Sequence, residues 1–443
     1  MTRMQAPAPN AVRHLAVYYC GWGEDSLLGR LAGDGRNLIF EYSAQALAHG
    51  LELSPLHLKL RAQGYGNFPP YLYSLPGLIY DSLPDGWGLL LMDRLFRAHR
   101  LAPPGPLDRL AFIGNRALGA LRFVPVHDAN MDHETPDWSL LELAEQSLSV
   151  LQDGAESSAQ DVLHGLALTG GSPQGARPKA LVQYDAASNQ ASTRKDARGS
   201  PWLVKFPAQG EHGEVSAIEQ LYMELARACG LDTPASRWFE LSKTLTAFGV
   251  ERFDRHLVSH AQPDTPTWRI PTHSLAGLLH ADFRMPGTAS YTDLLRATRL
   301  LTRDVREVEK AYARAVFNVM FHNRDDHPKN FAWCLGQDQR WRLSPVFDLT
   351  FSNGPGGQHS MDICGQGAAI ERRHLLQLAR EGDITHKAAT AILERIQEQA
   401  SRFAHRAANF PIRRATLKHM TQQIEQCSRR LLETTRPRSN NKR

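Results

Sequence analysis

Three side chains in the last third of this 443-residue chain form an ordered donor set. Asp325 is followed five positions later by Asn330, and a second aspartate closes the apolar run Leu343-Ser344-Pro345-Val346-Phe347-Asp348. Moving a phosphoryl group needs positioning and charge neutralisation more than a covalent protein group. A carboxylate at Asp325 can take the proton of an attacking hydroxyl. Mg2+ is a hard octahedral ion that suits one or two carboxylates plus an amide oxygen, so Asn330 and Asp348 read as its ligands. Lys329 is a candidate charge partner for the transferring phosphate. Asp and Asn also cap and turn ordinary loops, so the chemistry rests on the ordered set and not on any one residue.

Several elements must position these groups. An apolar helical run ends at His322 and Asn323, and the polar loop Arg324 to Asn330 follows. Asp348 is expected on an apolar strand. Upstream, Trp202-Leu203-Val204-Lys205-Phe206 reads as a strand that carries one lysine, which is costly to bury unless paired. Glu214 to Gly230 reads as a helix, with Ile218, Leu221, Tyr222, Leu225 and Ala228 at helical spacing. Glu219 on it is the candidate ion pair to Lys205, with Glu214 and Glu224 as rivals. Thr244 to Val250 reads as a strand that turns at Glu251-Arg252-Phe253-Asp254-Arg255. Before these elements lies Gly170-Gly171-Ser172-Pro173-Gln174-Gly175-Ala176-Arg177-Pro178-Lys179, three glycines and a lysine running into a strand. Glycines let backbone N–H groups approach phosphates, and Lys179 adds a point charge. The spacing matches neither the Walker A pattern nor the eukaryotic kinase glycine loop.

Asp-x-x-x-x-Asn followed by a further Asp resembles the catalytic loop of protein kinases. With the glycine segment, Trp202 to Lys205, Val250 to Arg255, and Leu83-Pro84-Asp85-Gly86-Trp87-Gly88 near the start, the chain resembles the HipA family. These are serine/threonine kinases that form the toxin half of bacterial HipBA toxin–antitoxin pairs. The resemblance implies an α+β fold: a bilobal kinase-like core with an N-terminal α/β subdomain and a mainly helical C-terminal lobe. It implies ATP held by Lys205, with Lys179, Gly175 and His327 also at the nucleotide and Glu251 and Phe253 at the hinge. Asp325 is then the base, and Asn330 and Asp348 hold Mg2+. Ser172 is the implied autophosphorylation site, whose modification silences the kinase. The implied partners are a HipB-like helix-turn-helix antitoxin, operator DNA reached only through that complex, and a protein substrate of the aminoacyl-tRNA synthetase class.

The expected organisation is an N-terminal subdomain over 12–125, a small lobe over 135–255, a helical large lobe over 256–435 and a basic disordered tail over 436–443. Asp185 to Ser200 reads as a loop, and Pro173 holds Ser172 extended in an exposed one. The net charge is +5. Residues 401–443 hold eleven Lys and Arg against Glu425 and Glu433, so the basic surplus is C-terminal. A helix over 414–434 is expected there, its stripe of Leu417, Met420, Ile424, Cys427 and Leu431 packed inward and its basic face solvated. Five scattered cysteines without finger spacing point away from disulfides and structural zinc. No apolar run is long enough to span a membrane, and a cytoplasmic protein is expected. Two rivals stand beside the kinase reading. One is a metal-dependent phosphohydrolase built on His322, Asp325, Asp326 and His327; the other is an inactive kinase fold acting as a DNA-bound co-repressor.

Overall fold

The computed structural model describes residues 12–33, 37–125, 137–152, 160–258 and 267–432. The expected tail over 436–443 lies outside them. The chain forms two compact units. The first comprises Met1–Ser216, Pro234–His280 and Cys334–Gln339, and the second Ala217–Thr233, Ala281–Trp333 and Arg340–Arg443. Among the described residues no helix is long and apolar enough to cross a membrane.

The first unit contains two five-stranded antiparallel sheets. The N-terminal one has β1 (His14–Tyr19), β2 (Ser26–Gly33), β3 (Leu38–Tyr42), β4 (Gly64–Tyr65) and β5 (Leu121–Pro125), in the order β4-β3-β2-β1-β5. Strand β1 alternates cleanly: Leu15, Val17 and Tyr19 are buried while the residues between them are not. The helix Gly86–Ala98 buries Trp87, Leu91, Met92 and Leu95.

The second sheet has β6 (Lys179–Asp185), β7 (Gln190–Ser192), β8 (Ser200–Lys205), β9 (Ser236–Glu240) and β10 (Thr246–Glu251), in the order β7-β6-β8-β10-β9. Strand β7 lies inside the segment expected to be a loop. It pairs Ala191 with Tyr184 across a turn in which Asn189 takes a φ of 56°. Asn tolerates that left-handed conformation, so a polar three-residue strand forms without any apolar signature.

A buried polar tie links three distant segments of this unit. Ser54 Oγ lies 3.0 Å from His273 Nε2, and His273 Nδ1 lies 2.8 Å from Asp81 Oδ2. Asp81 also accepts from the backbone N–H and hydroxyl of Ser274. The order matches a hydrolytic serine triad, but Ser54 and His273 are 1% and 0% exposed, so the group fastens loops together and meets no substrate.

In the second unit the helix Val305–Met320 opens with the charged residues Arg306, Glu307, Glu309 and Lys310, and every residue from Ala311 to Met320 is buried. A helix with that pattern belongs in a core. Asp304 caps its start by accepting the N–H of Arg306. The last helix, Arg414–Leu432, buries Met420, Ile424, Cys427 and Leu431, as the stripe predicted, with Leu417 half-buried.

Candidate active site

The core helix of the second unit stops at Met320, and His322 then takes a φ of 55°, which turns the chain out of the helix. The following loop closes through the N–H of Asn323 on the Asn318 carbonyl and the N–H of Asn330 on the His327 carbonyl. One pocket of this unit is lined by Asp325, Asn330 and Asp348, with Asn318, Asn323 and Asp326 among its other walls. The three residues expected to act together thus converge.

Asp348 is not on a strand. The strand Trp341–Leu343 ends before it, and Asp348 sits at a bend with a φ of 56°. Pro345 cannot donate to a ladder, and the N–H of Val346 is taken by the Asp232 carbonyl. The left-handed bend is a conformation that Asp accepts more readily than bulkier residues do.

A buried hydrogen-bond chain braces the loop. Asp326 accepts from the Tyr291 hydroxyl at 2.7 Å and from the Ser360 N–H at 2.8 Å, and it lies 2.7 Å from His359 Nδ1. Tyr291 in turn accepts from Asn318 Nδ2 at 2.9 Å, and Asn318 Oδ1 accepts from Asn323 Nδ2 at 2.9 Å. The carboxylate end sets the direction of every donor in this chain. Asn323 Oδ1 is therefore the acceptor left over, and it has no partner among the described residues although Asn323 is 2% exposed. Asn330 is oriented similarly: its Nδ2 donates to the Asp325 carbonyl at 2.8 Å, leaving the amide oxygen as its remaining side-chain acceptor. Carboxylates and spare amide oxygens around one pocket suit a hard cation. The spacing argument passed over Asn323, whose role depends on Tyr291 and Asn318 in other elements.

The neighbours of Asp325 divide. His327 Nε2 lies 4.0 Å from Asp325 Oδ1, so these two meet. Lys329 is 3% exposed, with its ammonium 4.4 Å from the Phe283 ring centroid, and it does not line the pocket. The four-residue metal cluster of the phosphohydrolase reading does not form. His322 faces Asn353 and Cys427 and stacks on Phe351, while Asp326 is taken up by Tyr291, His359 and Ser360. Burial holds the His322 imidazole down at about 4, with Arg324 adding repulsion.

In the first unit, Lys179 and Lys205 are direct cross-strand partners on β6 and β8. They are 3% and 7% exposed, and Lys205 Nζ lies 5.8 Å from the Phe248 ring centroid. Like charges opposite one another in a sheet repel, and a buried ammonium is costly unless an opposite charge or hydrogen-bond partner stands beside it. Lys179 also donates to the Gln174 carbonyl of the glycine segment.

That segment is not an exposed loop. Ser172 is 3% exposed, and its hydroxyl has no partner among the described residues. Asp85 Oδ1 accepts the N–H of Gly175, the backbone N–H of Trp87 donates to the Gly175 carbonyl at 3.1 Å, and Gln174 Nε2 donates to the Asp81 carbonyl at 2.9 Å. The Leu83 to Gly88 motif is therefore the clamp on the glycine segment, and packing against it buries Ser172. At the turn after β10, the N–H groups of Glu251 and Arg252 are taken by the carbonyls of Ala235 and Pro201. Glu251 ends β10, and Phe253 beyond it is half-buried. Of the three candidate glutamates, Glu214 and Glu219 are buried, whereas Glu224 bonds Gln220 on its own helix.

A family model described as the HipA-like C-terminal domain matches residues 171–404, and one described as the HipA N-terminal domain matches residues 21–124. The chain belongs to the HipA family. A solved HipA structure has the same fold: the chain in the Shewanella oneidensis MR-1 toxin–antitoxin complex of HipA, HipB and operator DNA. The match has a TM-score of 0.68 at 18% identity and covers 94% of this chain and 97% of that one. The Sinorhizobium fredii protein named "Putative kinase Y4mE" is 27% identical over 257 residues, 55% of this chain. The match spans 56% of that curated relative, little more than half its length. The Helicobacter pylori proinflammatory kinase CtkA aligns with a TM-score of 0.38, too slight a likeness to bear on the fold. Both HipA domains, in their family order, account for the α+β architecture.

Proposed function

We propose that this HipA-family chain is an ATP- and Mg2+-dependent serine/threonine protein kinase and the toxin of a toxin–antitoxin pair. The observation that carries the reading is the convergence of Asp325, Asn330 and Asp348 on one pocket. Asp325 accepts the proton of the target hydroxyl. Asn330 and Asp348 hold the metal, and the spare oxygen of Asn323 completes a donor set of oxygens only. The bound ion supplies charge neutralisation at the phosphates. The buried pair Lys179 and Lys205 binds phosphate oxygens, with Gly175 giving the backbone close approach, and Glu251 and Phe253 receive the adenine. His327 orients Asp325, and Lys329, buried beside Phe283, steadies the loop.

Ser172 is the proposed autophosphorylation site. Because it is buried, its modification requires the glycine segment to leave its clamp, and a phosphate carrying about −1.5 to −2 charges then prevents its return beside the lysines. The partner is a small helix-turn-helix antitoxin, as the HipA and HipB complex suggests, and DNA is reached through it. The substrate class is an aminoacyl-tRNA synthetase.

Purified protein with labelled ATP and Mg2+, followed by phosphosite mapping, tests the reading. Phosphate on serine or threonine supports it. Free phosphate without phosphoprotein would make the chain a hydrolase, and neither product would make it a binding protein. Affinity capture from the native host should recover the antitoxin.

A further inference from the structure

A cavity of the first unit borders the hinge turn at Arg252 and the approach to the glycine segment at Thr169, but Gly175, Lys179, Lys205, Glu251 and Phe253 are not among its walls. It has a volume of about 390 Å3, and six cationic side chains line it: Arg116, Arg194, Lys195, Arg252, Arg255 and Arg269. Among the described residues no aspartate, glutamate or aromatic side chain is among its walls, and the other polar walls include Thr169, Thr193 and Thr267.

Two of the three inner arginines share one carboxylate. Arg252 grips Asp254 through two bonds of 2.9 and 2.8 Å, and Arg255 reaches the same carboxylate at 2.8 Å. The N–H of Gly119 also donates to Asp254 at 2.8 Å. Arg269 has no carboxylate; it donates to the carbonyls of Asn115, Ala117, Gly119 and Leu121. The side chains of Arg252 and Arg255 are 9% and 10% exposed. Among the described residues, three guanidinium charges against one carboxylate leave two buried positive charges in excess. Carbonyl dipoles solvate a guanidinium but do not neutralise it, and an unbalanced buried charge is strongly unfavourable. Burial together with the repulsion from Arg252 holds the Arg255 guanidinium well below its ordinary range, and Arg269 is brought down to about 10.

We infer that this cavity is a binding site for a small molecule bearing a diphosphate or longer phosphate chain. Guanidinium forks match phosphate oxygens in pairs. The volume is that of a small-molecule pocket, typically about 300–1,000 Å3, and exceeds what a single phosphate fills. The lack of an aromatic wall places recognition on the phosphates and not on a stacked base. Arg194 and Lys195 stand on the segment after β7, where Arg194 pairs with Asp196 on the protein surface, so they guard the mouth while the arginine knot forms the floor.

The experiment is calorimetric titration of the full chain with pyrophosphate in EDTA. The Lys205→Met variant serves as the background that removes the lysine-pair site. Binding that persists in Lys205→Met and falls about tenfold or more when Arg194→Glu and Lys195→Glu are added supports the site. Those two changes lie on a surface segment, and an unchanged melting temperature confirms that the fold is kept. Inorganic phosphate should bind more weakly than pyrophosphate. The inference is overturned if pyrophosphate does not bind at millimolar concentration, if Lys205→Met abolishes binding, if the charge reversals leave affinity unchanged, or if phosphate binds as well as pyrophosphate.

Discussion

The Asp85 carboxylate accepts the backbone N–H of Gly175, tying the N-terminal subdomain to the glycine segment that carries Ser172. A hydrogen bond to a charged group contributes about 1.5–3 kcal/mol. Asp85→Ala should therefore lower the melting temperature modestly and loosen the segment far more. Hydrogen exchange should speed up at residues 170–178, and the rate of Ser172 phosphorylation should rise. An unchanged exchange rate there would show that Trp87 and Gln174 hold the segment without Asp85.

The same packing leaves no room for a methyl group at Gly170. A Cβ there would stand 2.2 Å from the Lys179 carbonyl oxygen. Backbone cannot yield as a flexible side chain would, and overpacking typically costs about 1–3 kcal/mol. Gly170→Ala should lower thermal stability by that amount and displace Lys179 from its register opposite Lys205. Nucleotide affinity should fall with it.

Substitutions in the second unit's pocket should separate the roles of its oxygens. Asp325→Asn keeps the shape and removes the proton acceptor, so turnover should fall by about 10²–10⁴ while nucleotide binding survives. Asp348→Asn should weaken Mn2+ binding, read by electron paramagnetic resonance, as well as turnover. Asn323→Leu should also weaken Mn2+ binding. Unaltered Mn2+ affinity in Asn323→Leu would restrict Asn323 to bracing the loop, whereas a wild-type protein that took up no Mn2+ would count against the metal site itself.

Acid should weaken the second unit through His322. Its imidazole stays neutral down to about 4 in the folded chain, against about 6.5 when free, chiefly because it is buried. Between those values the unfolded chain binds a proton that the folded chain does not, so stability is full above about 6.5 and is lost as the pH falls toward 4. The shift corresponds to on the order of 2–3 kcal/mol. His280 in the first unit is held down to about 4 by burial and by His57, and it adds to the same window. Thermal melts of His322→Gln from pH 7 to 4 should show a shallower decline than wild type. Parallel curves would assign the acid response elsewhere.

What the sequence revealed follows from distance along the chain. Lys179 and Lys205 were legible because each begins or ends an alternating strand, and the end of the Val305–Met320 helix because its last turns are mostly apolar. The loop from Asp325 to Asn330 could be read because its donors lie within one turn of each other. Its bracing could not be, since Asp326 depends on Tyr291 and His359, which no local pattern joins to it. Ser172 looked exposed because Pro173 and the glycines suggest a free loop, and only the clamp from Asp81, Asp85 and Trp87 reveals its burial. Asp348 looked strand-borne because Val346 and Phe347 are apolar, whereas Pro345 ends the ladder.

The chain passes between its two units at 216–217, 233–234, 280–281, 333–334 and 339–340. The last stretch of the first unit matters to its packing: the Leu335 carbonyl accepts the Trp22 indole N–H at 2.9 Å, and the Leu335 N–H bonds the Pro271 carbonyl. The ribosome must therefore deliver the Asp325 loop before the stretch Cys334–Gln339 can complete the first unit against Trp22 and Pro271. Domains commonly mature one after another during synthesis; here that order is unavailable. A nascent or prematurely terminated chain has no completed first unit until translation has passed residue 339.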